Sequence, residues 1–451
     1  MDLARGEQGV NEVGDQLEAW DKAGVQWVRF ELPDMHGLSR CKTVPIEHAA
    51  DYAERGLNLY GGASVLDTAD DVVSGTLYNE EVKYADQLLH PDPETGGVLP
   101  WVDRTARFIC DASWYDGKPL EATPRIVFRR ALEKARSMGF DPVIGSEFEF
   151  FLLDRETQEP LFPNHHIFNP VRNDWVPTIA RILEEMPRIG VSIITSNTEY
   201  AASQWEINFA PGVGLGGPDR AFTFKNGVKE IAKQDGLIAS FMSKPFAGSA
   251  GSGCHTHMSL VDLESGDNVF GDEGGHQGLS ELGRWFVGGL IRYARAIDAL
   301  MVPTVNCFRR RRTHTFSPTN VSWGLEDRTA LIRVKGGAVG SRHIEHRAPT
   351  AMSNPYLVSA AILSAGLKGI EDRLDPGPAA KPDVPAEEDP NFEPLAASLP
   401  EALGDLEAEP ECKAFFSEEF VTAFTVMRRY ELSRFNDWVT DWERNEYLEF
   451  F

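Results

Sequence analysis

Alternating apolar and polar positions predict a β-strand over residues 142–154 with one polar face. Glu147 and Glu149 alternate there with Phe148 and Phe150. Because side chains two apart on a strand share a face, both glutamates are expected on one face and both phenylalanines on the other. Paired carboxylates in an apolar setting repel each other unless a cation lies between them. An edge strand with one wet face fits this segment equally well.

Two later segments repeat the alternation. Residues 198–209 place three polar side chains on one predicted face, which alone is typical of an amphipathic strand: Gln204, Glu206 and Asn208. In residues 244–260, His255 and His257 follow a glycine-rich loop and share a face, while Cys254 points to the other. Glycines allow the backbone to approach a ligand closely. The histidine pair therefore favours a metal ion or an anionic substrate over a purely structural role.

One helix is well marked in the pattern. Apolar residues recur every three or four positions between residues 124 and 138. Pro124 suits the first helical position, Thr123 is expected to cap the N-terminus, and Gly139 is expected to end the helix. We therefore predict a helix that directly precedes the strand bearing Glu147.

The rest of the pattern predicts how the chain is organised. Up to about residue 110 it mixes short strands with turns, and from about 140 to 350 strands alternate with helices. The apolar run at 25–32 predicts a strand, and the part from Glu401 onward is expected to be helical. Proline, glycine and charge content predict a loop at 89–101, a linker at 116–119 and a surface excursion at 373–400. We predict two domains, 1–115 and 120–451.

Composition excludes several classes of protein. The 451 residues include 69 acidic and 44 basic ones, a formal charge of −25, so we expect no nucleic-acid partner. Five scattered cysteines without a CxxC pair fit a reducing cytoplasm. The N-terminus lacks the apolar region of a signal peptide, and no run of about 18 apolar residues occurs. We therefore expect a cytoplasmic protein and no membrane partner.

A local excess of arginine stands out in this acidic chain. It comprises Arg309 to Arg312, Arg328, Arg333, Arg342 and Arg347. Arginine forks bind carboxylates and phosphates, although a solvated basic face is the usual fate of such runs. Glu345 and Arg347 would share a strand face. No GxxxxGK[ST] motif occurs, which disfavours P-loop proteins. A site rich in glutamate, without CxxC, suits Mg²⁺ or Mn²⁺ better than zinc.

The order of these segments closely resembles the glutamine synthetase family from about residue 22 to the end. The resemblance is carried by GSEFEFF, EYAASQWEINFAP, KPFAGSAGSGCHTHMSL, PTVNCFRR, SWGLEDRTALIRV, HIEHRAPTAMSNPYL and WERNEYLEFF. It implies an α+β fold, with a small N-terminal β-grasp domain and a larger catalytic domain built on a curved, mainly antiparallel sheet. It also implies ATP and L-glutamate as substrates, and a homo-oligomeric ring, a hexamer or dodecamer, with active sites at subunit interfaces.

The resemblance also implies residue roles, with two or three Mg²⁺ or Mn²⁺ ions per site. The ligands of one ion would be Glu149, Glu199 and Glu206. Those of the ion nearer ATP would be Glu147, His255 and Glu345. Glutamate would be held by Gly251, Arg310 and Arg347, and the ATP phosphates by Arg328 and Arg333. His257 and Ser259 would lie beside the nucleotide. Arg328, Arg310 and Glu345 are the residues implied to be catalytic.

Two positions depart from the family where it binds ammonium. Phe316 stands where the flap usually has a glutamate, and Gly61 where a neighbouring subunit usually offers an aspartate. Ammonium needs negative partners to bind and lose a proton, whereas an aromatic ring and a glycine offer space and an apolar wall. We therefore expect a larger organic amine instead. The chain resembles the branch that includes γ-glutamylpolyamine and γ-glutamylanilide synthetases. A weakly basic arylamine needs no base, whereas a polyamine would rely on a cation–π contact with Phe316.

Further departures concern the glutamate site and regulation. Ala250 stands where the family usually has an asparagine. His343 stands where it usually has an arginine, and the neighbouring Arg342 is a candidate substitute for that arginine. The excursion at 373–400 has no tyrosine, so control by adenylylation there is not expected. Three alternatives stay open: an ammonia-using glutamine synthetase, a non-catalytic family member and a guanidino-kinase-like phosphotransferase. Retention of all the metal-ligand positions disfavours the second.

Overall fold

The structure, a computed structural model, describes residues 7–162, 166–170, 176–381 and 383–451. In these ranges the chain forms two β-sheets with helices packed around them. No helix within the described ranges is both long and apolar enough to span a bilayer.

The first sheet belongs to the N-terminal part of the chain. Its strands are β1 (Trp27–Pro33), β2 (Ser39–Pro45), β3 (Leu57–Tyr60), β4 (Asp86–Pro91), β5 (Gly97–Val98) and β6 (Thr105–Ser113). Their order is β2-β1-β6-β4-β3, with β5 also on β6. Only the β1–β6 pair is parallel. The strand predicted at 25–32 is confirmed as β1. The loop predicted at 89–101 is wrong in part, because it contains the end of β4 and all of β5.

The second sheet has nine strands. They are β7 (Phe140–Asp154), β8 (Ile193–Thr198), β9 (Gln204–Phe209), β10 (Gly212–Val213), β11 (Leu237–Ser240), β12 (Cys254–Asp262), β13 (Trp323–Leu325), β14 (Ile332–Lys335) and β15 (His343–His346). The order is β13-β14-β15-β12-β7-β9-β8, and β10 and β11 also pair with β7. All pairs except β13–β14 are antiparallel. The mainly antiparallel sheet is thus confirmed.

Helices cover both sheets. Their bounds are Glu7–Lys22, Ile46–Arg55, Pro124–Ser137, Pro177–Glu185, Gly216–Gln234, Glu281–Met301, Val305–Arg310, Pro355–Asp372, Leu399–Ala408, Pro410–Phe416, Glu418–Asn436 and Asp441–Tyr447. The predicted helix near 124–138 is confirmed, and Gly139 ends it with φ +89°. Thr123 is the N-cap residue, as predicted, but its hydroxyl donates to the Leu120 carbonyl at 2.7 Å and makes no side-chain cap.

The C-terminal third follows the predicted plan. Between the helices Pro355–Asp372 and Leu399–Ala408, the chain has only a short 3-10 turn at Ala386–Glu388 in its described part. From Leu399 onward it is mostly helical. The surface excursion and the helical C-terminal part are therefore confirmed.

The covered face of β7 explains why the polar face has a defined position. Phe148 and Phe150 are fully buried. Phe148 stacks on Phe224 at 5.9 Å between ring centroids, and Phe150 stacks on Phe241 at 5.3 Å. Burying each ring contributes about 2–3 kcal/mol, so a register slip that exposed them would be costly. The glutamates between them must then project from the opposite face.

A buried ionic cluster joins the two sheets. The guanidinium of Arg125 contacts Asp92 at 2.8 Å, Asp111 at 2.7 Å and Asp219 at 2.9 Å. Asp92 and Asp111 lie at the N-terminal sheet, whereas Asp219 lies on the helix Gly216–Gln234. Burial alone would raise the pKa of Asp111, but Arg125 and Arg129 lower it to about 2. The cluster therefore links the first sheet to the helices that support the second.

Candidate active site

Strand register brings the predicted polar residues into one surface. Glu147 on β7 lies opposite His255 on β12. One step along, His257 lies opposite Glu345 on β15, and Glu345 lies opposite Arg333 on β14. The edge-strand alternative for the Glu147 segment is wrong, because β7 is central in the sheet between β12 and β9. Residues far apart in sequence thus form a continuous row across four strands.

Three side chains in this row are spaced to hold a cation. Ligand atoms of Glu147, His257 and Glu345 all lie within 4.8 Å of one another. Nδ1 of His255 lies 3.5 Å from Glu147 and 3.6 Å from Glu345. Both histidines therefore border the same carboxylates. The sequence assigned His255 to the metal and His257 to the nucleotide, and the geometry makes His257 a further candidate ligand.

Electrostatics at Glu147 depend on the same contacts. Burial alone would raise the pKa of Glu147, but the contacts with His255 and His257 hold it well below its usual range. Burial likewise would raise the pKa of Glu345, while His255 and Arg347 lower it. Both carboxylates are therefore ionised and suited to bind a hard cation.

The second group of predicted ligands is a cluster of mutually repelling carboxylates. Glu149 on β7 lies opposite Glu206 on β9, and Glu199 directly follows β8. Burial, with the charges of Glu147, Glu149 and Glu199, raises the pKa of Glu206 to about 8. Burial and Glu149 raise the pKa of Glu199 to about 7. A divalent cation would relieve this repulsion, so the donor set fits a metal ion.

The glycine-rich loop is held against Glu149. The backbone N–H of Gly253 donates to Oε2 of Glu149 at 3.0 Å. Gln204 donates to the same oxygen at 3.1 Å and to the Gly251 carbonyl at 3.1 Å. A Cβ at Gly253 would lie 2.6 Å from Nη2 of Arg310, so a larger residue there would displace the guanidinium. Sequence reasoning missed the role of Gln204, although its position on the face of Glu206 was the available signal.

Two of the predicted substrate arginines are buried in the site. Arg310 ends the helix Val305–Arg310 and donates to Oγ of Ser317 at 3.2 Å. Burial lowers the pKa of Arg310. A Cβ at Gly251 would lie 2.8 Å from Cγ of Arg310, which explains the glycine there. Arg347, also buried, donates to Glu345. Both guanidinium groups thus flank the predicted metal ligands.

The arginines predicted at the ATP phosphates differ in exposure. Arg333 is buried and donates to Oε2 of Glu345 at 2.9 Å, and it also binds Glu326. Arg328 is exposed in the turn between β13 and β14. Its positive charge acts to lower the pKa of Glu199, although burial prevails and raises it. Arg328 is therefore close to the carboxylate cluster.

Several buried polar atoms of the site lack a hydrogen-bond partner within the described part of the chain. They are Nε of Arg333, Nε of Arg347, Nε2 of His255 and Oδ1 of Asn208. An unmet buried donor or acceptor costs about 1–3 kcal/mol, so such atoms mark places where a ligand supplies the missing partner. The two arginine atoms are donors on cationic guanidinium groups, which suits an anionic substrate beside the metal ligands. The His255 nitrogen donates or accepts according to its tautomer.

The structure distinguishes His343 from its neighbour Arg342 as the residue that faces the site. The His343 ring lies 5.2 Å from that of His257, and its Nδ1 contacts the Ser341 carbonyl at 2.7 Å. Arg342 binds the backbone carbonyls of Lys335 and Gly337. Because side chains alternate along a strand, Arg342 is directed away from the face of Glu345. Of the two neighbours, His343 therefore faces the site.

The remaining predicted positions lie near the site but differ in surroundings. Ser259 is buried on β12, two residues after His257. Ala250 packs on a small apolar cluster that includes Phe151. Phe316 is half exposed and stacks on Tyr200 with ring centroids 6.4 Å apart and planes at 19°. The sequence pointed to Phe316 but not to Tyr200.

Gly61 does not leave open space within this chain, contrary to expectation. It is buried, and its N–H donates to the Ala85 carbonyl at 3.0 Å. A Cβ there would lie 2.6 Å from that carbonyl oxygen and 3.0 Å from the Trp114 ring. The volume that a larger residue would occupy is thus filled by Trp114 and by backbone.

Comparisons with known proteins identify the family. The model of the glutamine synthetase catalytic domain matches residues 121–447. A glutamate–isopropylamine ligase from a Pseudomonas species is 33% identical over 95% of this chain and 96% of its own length. A glutamine synthetase from Halobacterium salinarum is 33% identical over 97% of this chain and 96% of its own. A solved complex of GmaS with ADP superposes with a TM-score of 0.84, at 31% identity over 96% of this chain and 99% of that one. The chain belongs to the glutamine synthetase family of ATP-dependent carbon–nitrogen ligases.

Proposed function

We propose that this protein joins the side-chain carboxylate of L-glutamate to an organic amine, through γ-glutamyl phosphate. The observation that carries the proposal is the pair of aromatic residues at the acceptor side of the site, by which we mean the position where the family binds ammonium. Phe316, stacked on Tyr200, stands where the family binds ammonium with a carboxylate. Ammonium must be bound by negative charge and must lose a proton before it can attack, and a phenyl ring supplies neither.

The carboxylates and His255 at the face of the second sheet would hold the divalent ions. We assign Glu149, Glu199 and Glu206 to one ion, and Glu147, His255 and Glu345 to the ion nearer ATP. Bound Mg²⁺ or Mn²⁺ would supply the positive charge that phosphoryl transfer requires. The raised pKa values of Glu199 and Glu206 support this assignment, because burial and the neighbouring carboxylates disfavour their ionised forms, which a bound cation would favour.

Basic residues would position the two anionic substrates. We assign Arg310 and Arg347, with the backbone of Gly251, to the carboxylates of glutamate. Arg328 and Arg333 would neutralise the ATP phosphates. His257 and Ser259 lie on the same strand as His255 and would border the nucleotide. Positioning and charge neutralisation supply most of the catalysis in phosphoryl transfer, so these residues need not react covalently.

Once γ-glutamyl phosphate has formed, the amine nitrogen attacks its γ-carbonyl carbon. A C–N bond forms, the bond between that carbon and the phosphate oxygen breaks, and phosphate leaves with the electron pair. The amine nitrogen loses one proton. A neutral amine enters this step directly, because its lone pair is already free.

Phosphate release with a panel of amines tests the proposal. Purified protein would be given ATP, glutamate, Mg²⁺ or Mn²⁺ and one acceptor: ammonium, an alkylamine, a polyamine or an arylamine. We expect at least one organic amine to support a kcat/KM well above that of ammonium. A clear preference for ammonium would instead establish the second candidate, a glutamine synthetase, which the relative from Halobacterium salinarum favours.

Product analysis separates the other two alternatives. Mass spectrometry should detect an amide of glutamate, formed only with ATP, metal and amine together. A stable phosphorylated product without an amide would indicate a guanidino-kinase-like reaction. No metal-dependent ATP turnover under any condition would indicate a non-catalytic family member.

We further propose a homo-oligomeric ring, a hexamer or dodecamer, with active sites at subunit interfaces. We also propose that residues 1–115 form a β-grasp domain and residues 120–451 the catalytic domain. The first sheet, which ends with β6 at Ser113, supports this division. Light scattering coupled to size-exclusion chromatography tests the ring, and a monomer of full activity would refute it.

A further inference from the structure

Two exposed aromatic rings face each other at the acceptor side of the site. Tyr200 is 64% exposed and Phe316 is 50% exposed. Their ring centroids lie 6.4 Å apart and their planes are 19° from parallel. We call them the aromatic pair. Large aromatic side chains usually bury their faces, so two nearly parallel rings left open to solvent suggest a binding surface.

We propose that the aromatic pair binds the substituent of the acceptor, and that the acceptor is a neutral aromatic primary amine. The inference rests on the proposed function and deepens it by naming the class of amine. Tyr200 is a specificity-determining residue that no sequence motif indicated. A flat aromatic substituent stacks on such rings, a contact worth about 0.5–1.5 kcal/mol beyond the burial of its area.

Backbone connections place both rings beside the reacting groups. Tyr200 directly follows Glu199, a predicted metal ligand. Phe316 directly precedes Ser317, whose hydroxyl accepts from Arg310, a predicted glutamate ligand, at 3.2 Å. A substituent on the aromatic pair would therefore put its amino group near the γ-carboxylate of glutamate.

The segment before Phe316 carries positive charge. Arg309 and Arg312 are exposed, whereas Arg311 is paired with Asp298. Lys244 lies near Arg312, since burial and then the charge of Arg312 lower the pKa of the lysine. A polyamine carrying several positive charges would be repelled here, whereas an arylamine, uncharged at neutral pH, would not.

Acidic residues near the same segment are already engaged. Glu387 accepts the backbone N–H of His314 at 2.9 Å and lies 3.5 Å from its ring. Glu388 lies 3.7 Å from that ring. Glu387 therefore helps to hold the turn, while its Oε2 atom has no hydrogen-bond partner in the described part of the chain. The exposed arginines of the segment itself, Arg309 and Arg312, are positive, which favours a neutral acceptor.

Backbone conformation supports a dedicated role for Phe316. Its φ is +54°, and that of His314 is +61°. Such values cost about 1 kcal/mol or more for residues other than glycine, and they persist where surrounding contacts hold them. Thr315, whose hydroxyl donates to the Arg312 carbonyl at 2.6 Å, supplies one such contact. The turn thus holds the Phe316 ring outward in a backbone conformation that costs free energy.

Steady-state kinetics with aniline, isopropylamine and putrescine test the inference. For the unmodified protein we expect the highest kcat/KM with aniline. Tyr200→Ala and Phe316→Ala should each raise the KM for aniline about tenfold, with little change in the KM for ATP or glutamate. Tyr200→Phe should restore the low KM, because the ring and not the hydroxyl makes the contact. Tyr447→Ala, at an exposed tyrosine (49%) of the C-terminal helix Asp441–Tyr447, is the matched control.

The two rings should act together. The double variant Tyr200→Ala/Phe316→Ala should lose less than the sum of the single losses, since either change opens the same surface. Should Tyr200→Ala unfold, Tyr200→Leu replaces it, because leucine stays apolar but cannot stack.

The outcomes separate the inference from the proposed function. A higher kcat/KM for putrescine or isopropylamine than for aniline, or an unchanged KM for aniline in folded Tyr200→Ala or Tyr200→Leu, overturns the inference while the organic-amine ligase stands. Use of ammonium far above every organic amine overturns both.

Discussion

His257 lies with its Nε2 atom 3.0 Å from Oε1 of Glu147, on the strand that pairs with β7. The same histidine lies opposite Glu345 in the pairing of β12 with β15. Its imidazole therefore sits between the two carboxylates that the family would use for the metal nearer ATP. The position of His257 makes it a candidate ligand alongside His255, and this has measurable consequences.

Replacing either histidine should weaken metal binding. We expect His257→Ala and His255→Ala each to reduce the affinity for Mn²⁺ at least tenfold, because each removes a ligand or the neighbour that orients one. Titration of the apo-protein with Mn²⁺, followed by electron paramagnetic resonance, measures this. His48→Ala, at an exposed histidine of the helix Ile46–Arg55, is the control. Unchanged affinity in His257→Ala would limit this residue to the nucleotide side.

Glu206→Gln should separate stability from metal binding. The neutral amide removes the need to protonate a carboxyl group in a cluster where burial and neighbouring carboxylates disfavour its charge. We expect the metal-free variant to be more stable by about 1 kcal/mol, and to gain less stability from Mn²⁺ than the unmodified protein. Thermal unfolding with and without Mn²⁺ tests both parts. Glu133→Gln, at an exposed helix position, should change neither. A metal-free Glu206→Gln that is less stable would contradict the repulsion.

Metal stabilisation should increase with pH. In the metal-free fold the pKa of Glu199 is about 7 and that of Glu206 about 8, both above the unfolded values. Stability from their protonated forms is fully present below the unfolded pKa and is lost as pH rises through the folded pKa. A cation must displace these protons. The shift in Tm caused by Mn²⁺ should therefore grow from about pH 6 to about pH 8.5, and a constant shift would refute this.

Gly253→Ala should impair glutamate binding through Arg310. The added Cβ would lie 2.6 Å from Nη2 of Arg310 and 3.2 Å from Oε1 of Glu149, so the guanidinium must move. We expect the KM for glutamate to rise about tenfold or more, which steady-state kinetics would measure. Gly248→Ala lies in the same loop, where a Cβ meets nothing within 4 Å, and should behave as the unmodified protein. Equal KM values in the two variants would argue against the close approach.

Loss of Arg125 should destabilise the whole fold. Arg125→Met leaves Asp219 without its arginine, and leaves Asp92 and Asp111 with Arg129 alone. Such a change costs about 3–5 kcal/mol, which urea unfolding would detect as a lower midpoint. Arg136→Met on the same helix breaks only an exposed pair with Asp141 and should cost at most about 1 kcal/mol. Similar losses in both variants would show that the buried cluster adds nothing.

The local sequence pattern was sufficient to predict these strands and the direction of their side chains. Phe148 and Phe150 had to be buried, and Glu147 and Glu149 therefore had to share the other face, because a strand alternates its side chains. The same rule placed His255 beside His257 and set Glu345 on one face with Arg347. The helix Pro124–Ser137 also followed from its apolar period and its terminal proline and glycine.

Pairing between distant strands decided the rest. The order of β15, β12, β7 and β9 brings Glu345, His257, Glu147 and Glu206 together, and no local rule specifies which strands pair. Packing across elements also filled the space at Gly61 with Trp114 and stacked Tyr200 on Phe316. Periodicity therefore determined which face each side chain takes, whereas long-range contacts, which depend on the free energy of the whole core, decided what each face meets.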